Sequence, residues 1–177
     1  MRTSIRALAV VAAFFAGRGA PVYAQSLQRL SIQGSGAVLF ATSDDPNFKS
    51  KTRLGWEAQL RYTFGRFSLG AGYQRSTVFS FQGNPLTIAL SLGFIEPRYV
   101  VAARTPVAVY LAGRLGVGKL VCSSCNGGTN ATLGGGGGLL FKLSQRISAD
   151  LGAQYFRVTG DLASGYAMLR AGLGVGL

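Results

Sequence analysis

The chain has 177 residues, enough for one domain, and they include 26 glycines, 11 phenylalanines and 7 tyrosines but only 14% charged residues. Glycine at this frequency argues against a helical protein, because each one costs a helix about 1 kcal/mol relative to alanine; 48% apolar residues argue against disorder. The net charge of +12 comes from basic residues scattered singly, without the Lys/Arg cluster of a nucleic-acid binder, and attraction to anionic lipid headgroups or lipopolysaccharide suits that pattern better.

Met1–Ala24 reads as a secretory signal peptide. Arg2 and Arg6 supply its positive start, Ala7–Ala16 its apolar stretch, and Val22-Tyr23-Ala24 the site a signal peptidase reads. The apolar run is too short for a membrane helix, which needs about 20 residues. The mature chain is expected to begin at Gln25, leaving fifteen basic and six acidic residues, a net +9.

Eight strand candidates follow. The first, about Leu30–Ala41, puts Leu30, Ile32, Gly34, Gly36, Val38 and Phe40 on one face; Thr42–Arg53 is a polar loop. The second and third form a hairpin over Leu54–Phe79. Leu54, Trp56, Ala58, Leu60, Tyr62 and Phe64 alternate with Glu57, Gln59, Arg61 and Thr63. After Gly65-Arg66, Phe67, Leu69, Ala71 and Tyr73 alternate with Ser68, Gly70, Gly72 and Gln74. Strict period two means a strand with one apolar and one polar face, and the short Gly-containing link makes a tight turn. Each arm has about the 10 residues that a tilted strand needs to cross a bilayer.

A loop over Ser80–Leu86 precedes the fourth strand, about Thr87–Val101, in which Ile88, Leu90, Leu92 and Phe94 share a phase with Glu96 and Arg98. A bulge near Ile95–Pro97 would reconcile them, and a proline inside a strand favours one. After a turn at Ala103–Pro106, the fifth strand, about Val107–Leu120, sets Val107, Val109, Leu111, Leu115 and Val117 apart from Tyr110, Arg114 and Gly118. Val121–Ala131 is a loop. The sixth strand, about Thr132–Leu143, holds the glycine run Gly134–Gly138. A tight turn at Ser144-Gln145-Arg146 leads to the seventh, about Ile147–Val158, and a loop over Thr159–Ser164 leads to the eighth, about Gly165–Leu177.

The strand count is even, and the connections alternate between longer polar loops and tight turns. Every backbone group in hydrocarbon needs a hydrogen bond, so strands span a membrane only as a closed barrel. The pattern over Gln25–Leu177 resembles the small eight-stranded outer-membrane barrels of the OmpA/OmpX type. It implies an all-β fold, an eight-stranded antiparallel up-and-down transmembrane β-barrel in the cell outer membrane, with the longer loops outside the cell and the turns in the periplasm. The ending, with Gly172, Val175 and Leu177, resembles the terminal signal read by the outer-membrane assembly machinery, although that family usually ends in an aromatic residue. The peptidoglycan-binding half of the OmpA-type proteins is expected to be missing.

Glu57, Arg61, Arg114, Asp150 and Arg170 lie on the polar phase of their strands, and Glu96 and Arg98 join them given the bulge. An eight-stranded barrel is only wide enough for side chains to fill, so these charges read as an ion-pair plug or as the lining of a narrow pore. Cys122 and Cys125, in an outer loop of an exported protein, read as a disulfide or as two free thiols. Trp56, Tyr62, Phe64, Phe67, Tyr73, Tyr99 and Tyr155 suit the aromatic girdles at the headgroup levels. The glycine run lacks the Gly-Lys-Ser/Thr ending of a phosphate loop and reads as a place where a bulky aromatic packs over bare backbone or where the strand curves tightly. Asp44, Asp45, Lys49, Lys51 and Arg53 charge the first outer loop.

The chain has no histidine. That rules out a Ser-His-acid triad, so neither an enzyme nor a bound metal or cofactor is expected. Lipid-A-modifying barrels of similar size rely on histidine, and the resemblance to them fails there. The expected role is that of a monomeric barrel with a structural or surface-interaction function. The alternatives are a small porin with a narrow charged channel and a secreted lipocalin-like barrel binding a small ligand. The last needs an apolar interior and a polar exterior.

Overall fold

A computed structural model describes residues 29–42, 52–80, 87–104, 106–121, 128–159 and 164–177. The signal-peptide segment, Asp44, Asp45, Lys49, Lys51, Cys122 and Cys125 lie outside the described residues. Eight strands run in chain order: β1 Leu30–Thr42, β2 Arg53–Phe64, β3 Phe67–Ser80, β4 Thr87–Arg104, β5 Val107–Val121, β6 Thr129–Lys142, β7 Ile147–Val158 and β8 Ser164–Gly176. Each pairs antiparallel with its neighbours in sequence, and β8 closes on β1 from Ser31↔Gly176 to Thr42↔Gly165.

The turns follow from local chemistry. Phe64 pairs with Phe67, so Gly65-Arg66 is a two-residue hairpin loop. Gly65 has φ +59° and no other described residue has a positive φ, which is the sign pattern of a II′ turn with glycine first. In the β6–β7 turn the Ser144 hydroxyl oxygen accepts from the backbone N–H groups of Arg146 and Ile147 at 3.2 and 3.0 Å. These turns gather at one end of the barrel, the turn end; the longer connections gather at the other, the loop end.

Alternation then sorts side chains between two media. Outside, Leu60, Leu69, Ile95, Leu111, Leu115, Leu151, Leu169 and Leu173 are exposed. Inside, Glu57, Glu96, Arg98, Arg114, Asp150 and Arg170 are buried. This is the reverse of the lipocalin-like arrangement. An exterior this apolar is stable only against hydrocarbon.

The fourth strand differs from expectation. The register of β4 against β3 runs unbroken from Ile95 through Pro97 to Arg98, so no bulge lies there. The shifts fall instead at either end, between Thr77 and Phe79 on β3 and between Val100 and Ala102 on β4. Leu90, Leu92 and Phe94 therefore face inward together with Glu96 and Arg98. The β4–β5 ladder lacks the pairs at Glu96 and Pro97, so the missing proline N–H is accommodated by a gap in pairing rather than an extra residue. The inward apolar residues have a use. Leu39, Leu90, Phe156, Val158, Tyr166 and Met168 form a buried cluster toward the loop end, and a second cluster of Val100, Ala108, Tyr110 and Ala112 lies toward the turn end. The charged belt sits between them.

Candidate functional site

Three carboxylates and four arginines meet in mid-lumen, each brought there by the inward phase of a different part of the sheet. Glu96 is the hub. It accepts from Arg61 Nη2 at 2.8 Å, Arg98 Nε at 2.7 Å, Arg170 Nη1 and Nη2 at 2.7 and 2.9 Å, and Gln154 Nε2 at 2.8 Å. Glu57 accepts from Arg114 Nη2 at 2.6 Å and Arg170 Nη1 at 2.9 Å. Asp150 accepts from Arg98 Nη1 at 2.7 Å and from the Tyr110 hydroxyl at 3.2 Å. The structure thus brings together all seven charged residues that the alternation places inside.

The belt is stitched to the apolar layers by ring contacts. The Arg114 guanidinium lies 3.8 Å from the centre of the Phe94 ring, and that of Arg98 lies 4.5 Å from the centre of the Tyr110 ring. Stacking of this kind favours arginine over lysine. Space comes from bare backbone. A Cβ on Gly138 would stand 2.5 Å from the Tyr110 hydroxyl oxygen, and one on Gly152 would stand 2.8 Å from it. The glycines of β6 and β7 therefore let Tyr110 lie over the inner wall of β6 and reach Asp150 on β7.

Neutral residues missing from the charged set complete the network. Gln59 accepts from Arg61 Nη2 at 2.7 Å, Gln74 accepts from Arg114 Nη1 at 2.6 Å, and Ser68 accepts from Arg61 Nη1 at 3.0 Å. Gln154 and Tyr110 belong with them. All lie on the inward phase, and that shared phase is the signal that identifies them.

Chemically, the arrangement pairs every lumen carboxylate with arginine. Glu96 and Arg114 are 0% exposed and Arg61, the most exposed of the seven, is 6%, so these charges are largely withdrawn from water. Each carboxylate is held by guanidinium groups. Among the described residues no group of three His, Cys, Asp or Glu could hold a metal ion.

The aromatic residues lie at two levels outside. Tyr62, Phe64 and Phe67 cluster at the turn end, with ring centroids 6.2 and 5.0 Å apart, and Tyr99 pairs with Phe67. Trp56 packs on Tyr73 at 5.7 Å nearer the loop end, and Tyr155 is exposed on β7. Trp56 precedes Phe64 by eight residues on β2. That is ~26 Å of strand and ~20 Å along an axis from which strands tilt by ~40°, close to the ~25 Å apolar band of outer-membrane barrels. Val175 and Leu177 face outward and are exposed, while Gly172 lies on the inward phase against Ser35.

No family model matches the chain, and no curated protein matches it. Solved structures do. The Neisserial surface protein A superposes with a TM-score of 0.71 at 17% identity, covering 84% of this chain and 97% of that one. Ail, the attachment invasion locus protein of Yersinia pestis, gives 0.60 at 17% identity over 84% and 97%; it has also been solved with the heparin analogue sucrose octasulfate. The N-terminal β-barrel domain of Pseudomonas aeruginosa OprF gives 0.52 at 13% identity over 83% and 98%. The chain has the fold of the small eight-stranded outer-membrane barrels.

Proposed function

We propose that the protein is a monomeric outer-membrane barrel with a structural or surface-interaction role and a lumen sealed by its ion pairs. The observation that carries this reading is the buried Glu57–Glu96–Asp150 network, which pairs with arginines inside the lumen at a level where the exterior is apolar. A solute pathway would need those side chains to part, and each buried pair broken costs several kcal/mol. A barrel sealed in this way acts through what it presents at its rims, namely the segments joining the strands and the headgroup-level side chains. Catalysis is not part of the proposal, since histidine is absent and every lumen carboxylate is occupied by arginine.

The proposed partners are outer-membrane lipids and lipopolysaccharide, together with the outer-membrane assembly machinery that would read the closing strand. Support comes from the charge distribution. The described acids are Glu57, Glu96 and Asp150, all in the lumen, so every described charge on the outer surface is positive. Near the loop end, Arg75 and Lys119 both pair with Ser91 across β3, β4 and β5, which sets two outward cations ~10 Å apart at strand spacing. Ser91, between them, is only 8% exposed on this outward face. A pair of cations at headgroup height suits lipid phosphates.

Planar-bilayer recording tests the reading. The inserted barrel is expected to be electrically silent. Discrete, reproducible conductance steps would replace the sealed barrel with the narrow-porin reading and make Arg61, Arg114 and Arg170 its selectivity residues.

A further inference from the structure

The lumen network does not balance. Four buried arginines, Arg61, Arg98, Arg114 and Arg170, face three buried carboxylates, Glu57, Glu96 and Asp150. In a low-dielectric interior an uncompensated charge is costly. Each of the four keeps one N–H without a hydrogen bond, Nε in Arg61, Arg114 and Arg170 and Nη2 in Arg98, but neither Arg114 nor Arg170 lines the cavity that the other two share. Arg61 Nε and Arg98 Nη2 are buried and make no hydrogen bond, although Arg61 Nη1 and Nη2 and Arg98 Nε and Nη1 all donate. Both residues line one cavity toward the turn end, together with Ser31, Ser68, Ser148 and Tyr110.

The space open to water centres in that cavity is about 30 Å³. One occupant needs ~10–15 Å³ measured this way, so the cavity has room for about two waters or one small ion. Gln33 also lines the cavity, and its amide oxygen is already occupied by Gln59 Nε2 at 3.1 Å. The guanidinium N–H groups cannot accept, and Ser68 already accepts from Arg61 at 3.0 Å, which leaves its hydroxyl proton to donate. No carboxylate lines the cavity.

We propose that this cavity binds one small monovalent anion, chloride in a physiological medium, between Arg61 and Arg98, with serine hydroxyls completing the shell. The anion supplies the fourth negative charge of the plug. It occupies the turn-side mouth and does not depend on what the outer loops touch, so the inference stands apart from the surface-interaction role and holds whether or not the lumen conducts.

The test is urea unfolding of the intact protein in detergent, followed by the fluorescence of Trp56, the single tryptophan. Sodium chloride or bromide is exchanged for sodium gluconate at constant ionic strength. Each tenfold rise in halide above its Kd is expected to raise the folding equilibrium constant about tenfold. Ser31 pairs directly with Arg61 across β1 and β2, so Ser31→Asp puts a permanent carboxylate beside the cavity. That variant is expected to be insensitive to halide. A bromide soak of wild-type crystals gives a readout that does not need the variant to fold; an anomalous peak against Arg61 and Arg98 is expected. Equal stability of the wild type in halide and gluconate, a Ser31→Asp variant as halide-sensitive as the wild type, or a bromide peak only outside this cavity would overturn the proposal.

Discussion

Neutralising Glu96 is the sharpest probe of the lumen. Glu96→Gln keeps shape and volume but removes the charge that five hydrogen bonds converge on, from Arg61, Arg98, Arg170 (two) and Gln154. Four buried arginines would then face two carboxylates. The amide nitrogen of the new side chain would also point donors at donors. Breaking one buried pair costs about 3–5 kcal/mol, and because Glu96 lies within ion-pair distance of all four arginines the upper end applies, about 5 kcal/mol. At an m value of about 2 kcal/mol/M, the urea midpoint falls by ~2.5 M. The comparison is Gln154→Met, which removes one neutral donor to the same carboxylate and costs ~1 kcal/mol, or ~0.5 M. Both are read in detergent from Trp56 emission. If Glu96→Gln moves the midpoint no further than Gln154→Met does, the charge at the hub contributes nothing beyond packing and the argument fails. The prediction concerns breaking the network. Replacing a whole buried ion cluster with well-packed apolar groups is often neutral or stabilising.

Three further outcomes follow from the same geometry. Gly138→Val meets the Leu151 carbonyl and the Tyr110 ring, so it should destabilise by about 1–3 kcal/mol through overpacking, whereas equal stability would mean that Tyr110 does not cross above Gly138. Trp56 is 51% exposed on the outer wall, so lipids brominated on their acyl chains should quench and blue-shifted emission should accompany insertion; red-shifted, unquenched emission would place that wall in water. The double variant Arg75→Gln/Lys119→Gln should weaken association with lipopolysaccharide while leaving barrel stability within about 0.5 kcal/mol, as surface changes do; unchanged association would remove this cation pair from lipid recognition.

The barrel is legible in residue order because its signal is local. β2 and β3 each touch two different media along their length, so period two persists, as in Trp56-Glu57-Ala58-Gln59-Leu60-Arg61. Even number and alternating connection length follow from counting such segments, and closure follows from the need to hydrogen-bond every strand edge. β4 carries no such constant contrast. Its inward face changes from Leu90, Leu92 and Phe94 to Glu96 and Arg98 because the lumen itself changes from an apolar layer to a charged one. A pattern that assumes one medium per face reads the change as a bulge. The register places the real shifts at Thr77/Phe79 and Val100/Ala102.

Charge pairing belongs to tertiary structure alone. Alternation sends Glu57, Glu96, Asp150 and the four arginines inward, but it contains no information about which acid meets which base. Glu96 on β4 meets Arg170 on β8 across 74 residues, and Glu57 meets Arg170 across 113. Those distances are set by the closing register of β1 with β8 and the slant it imposes on every strand, so the hub, the unmatched fourth arginine and the cavity beside it exist only once the sheet has closed.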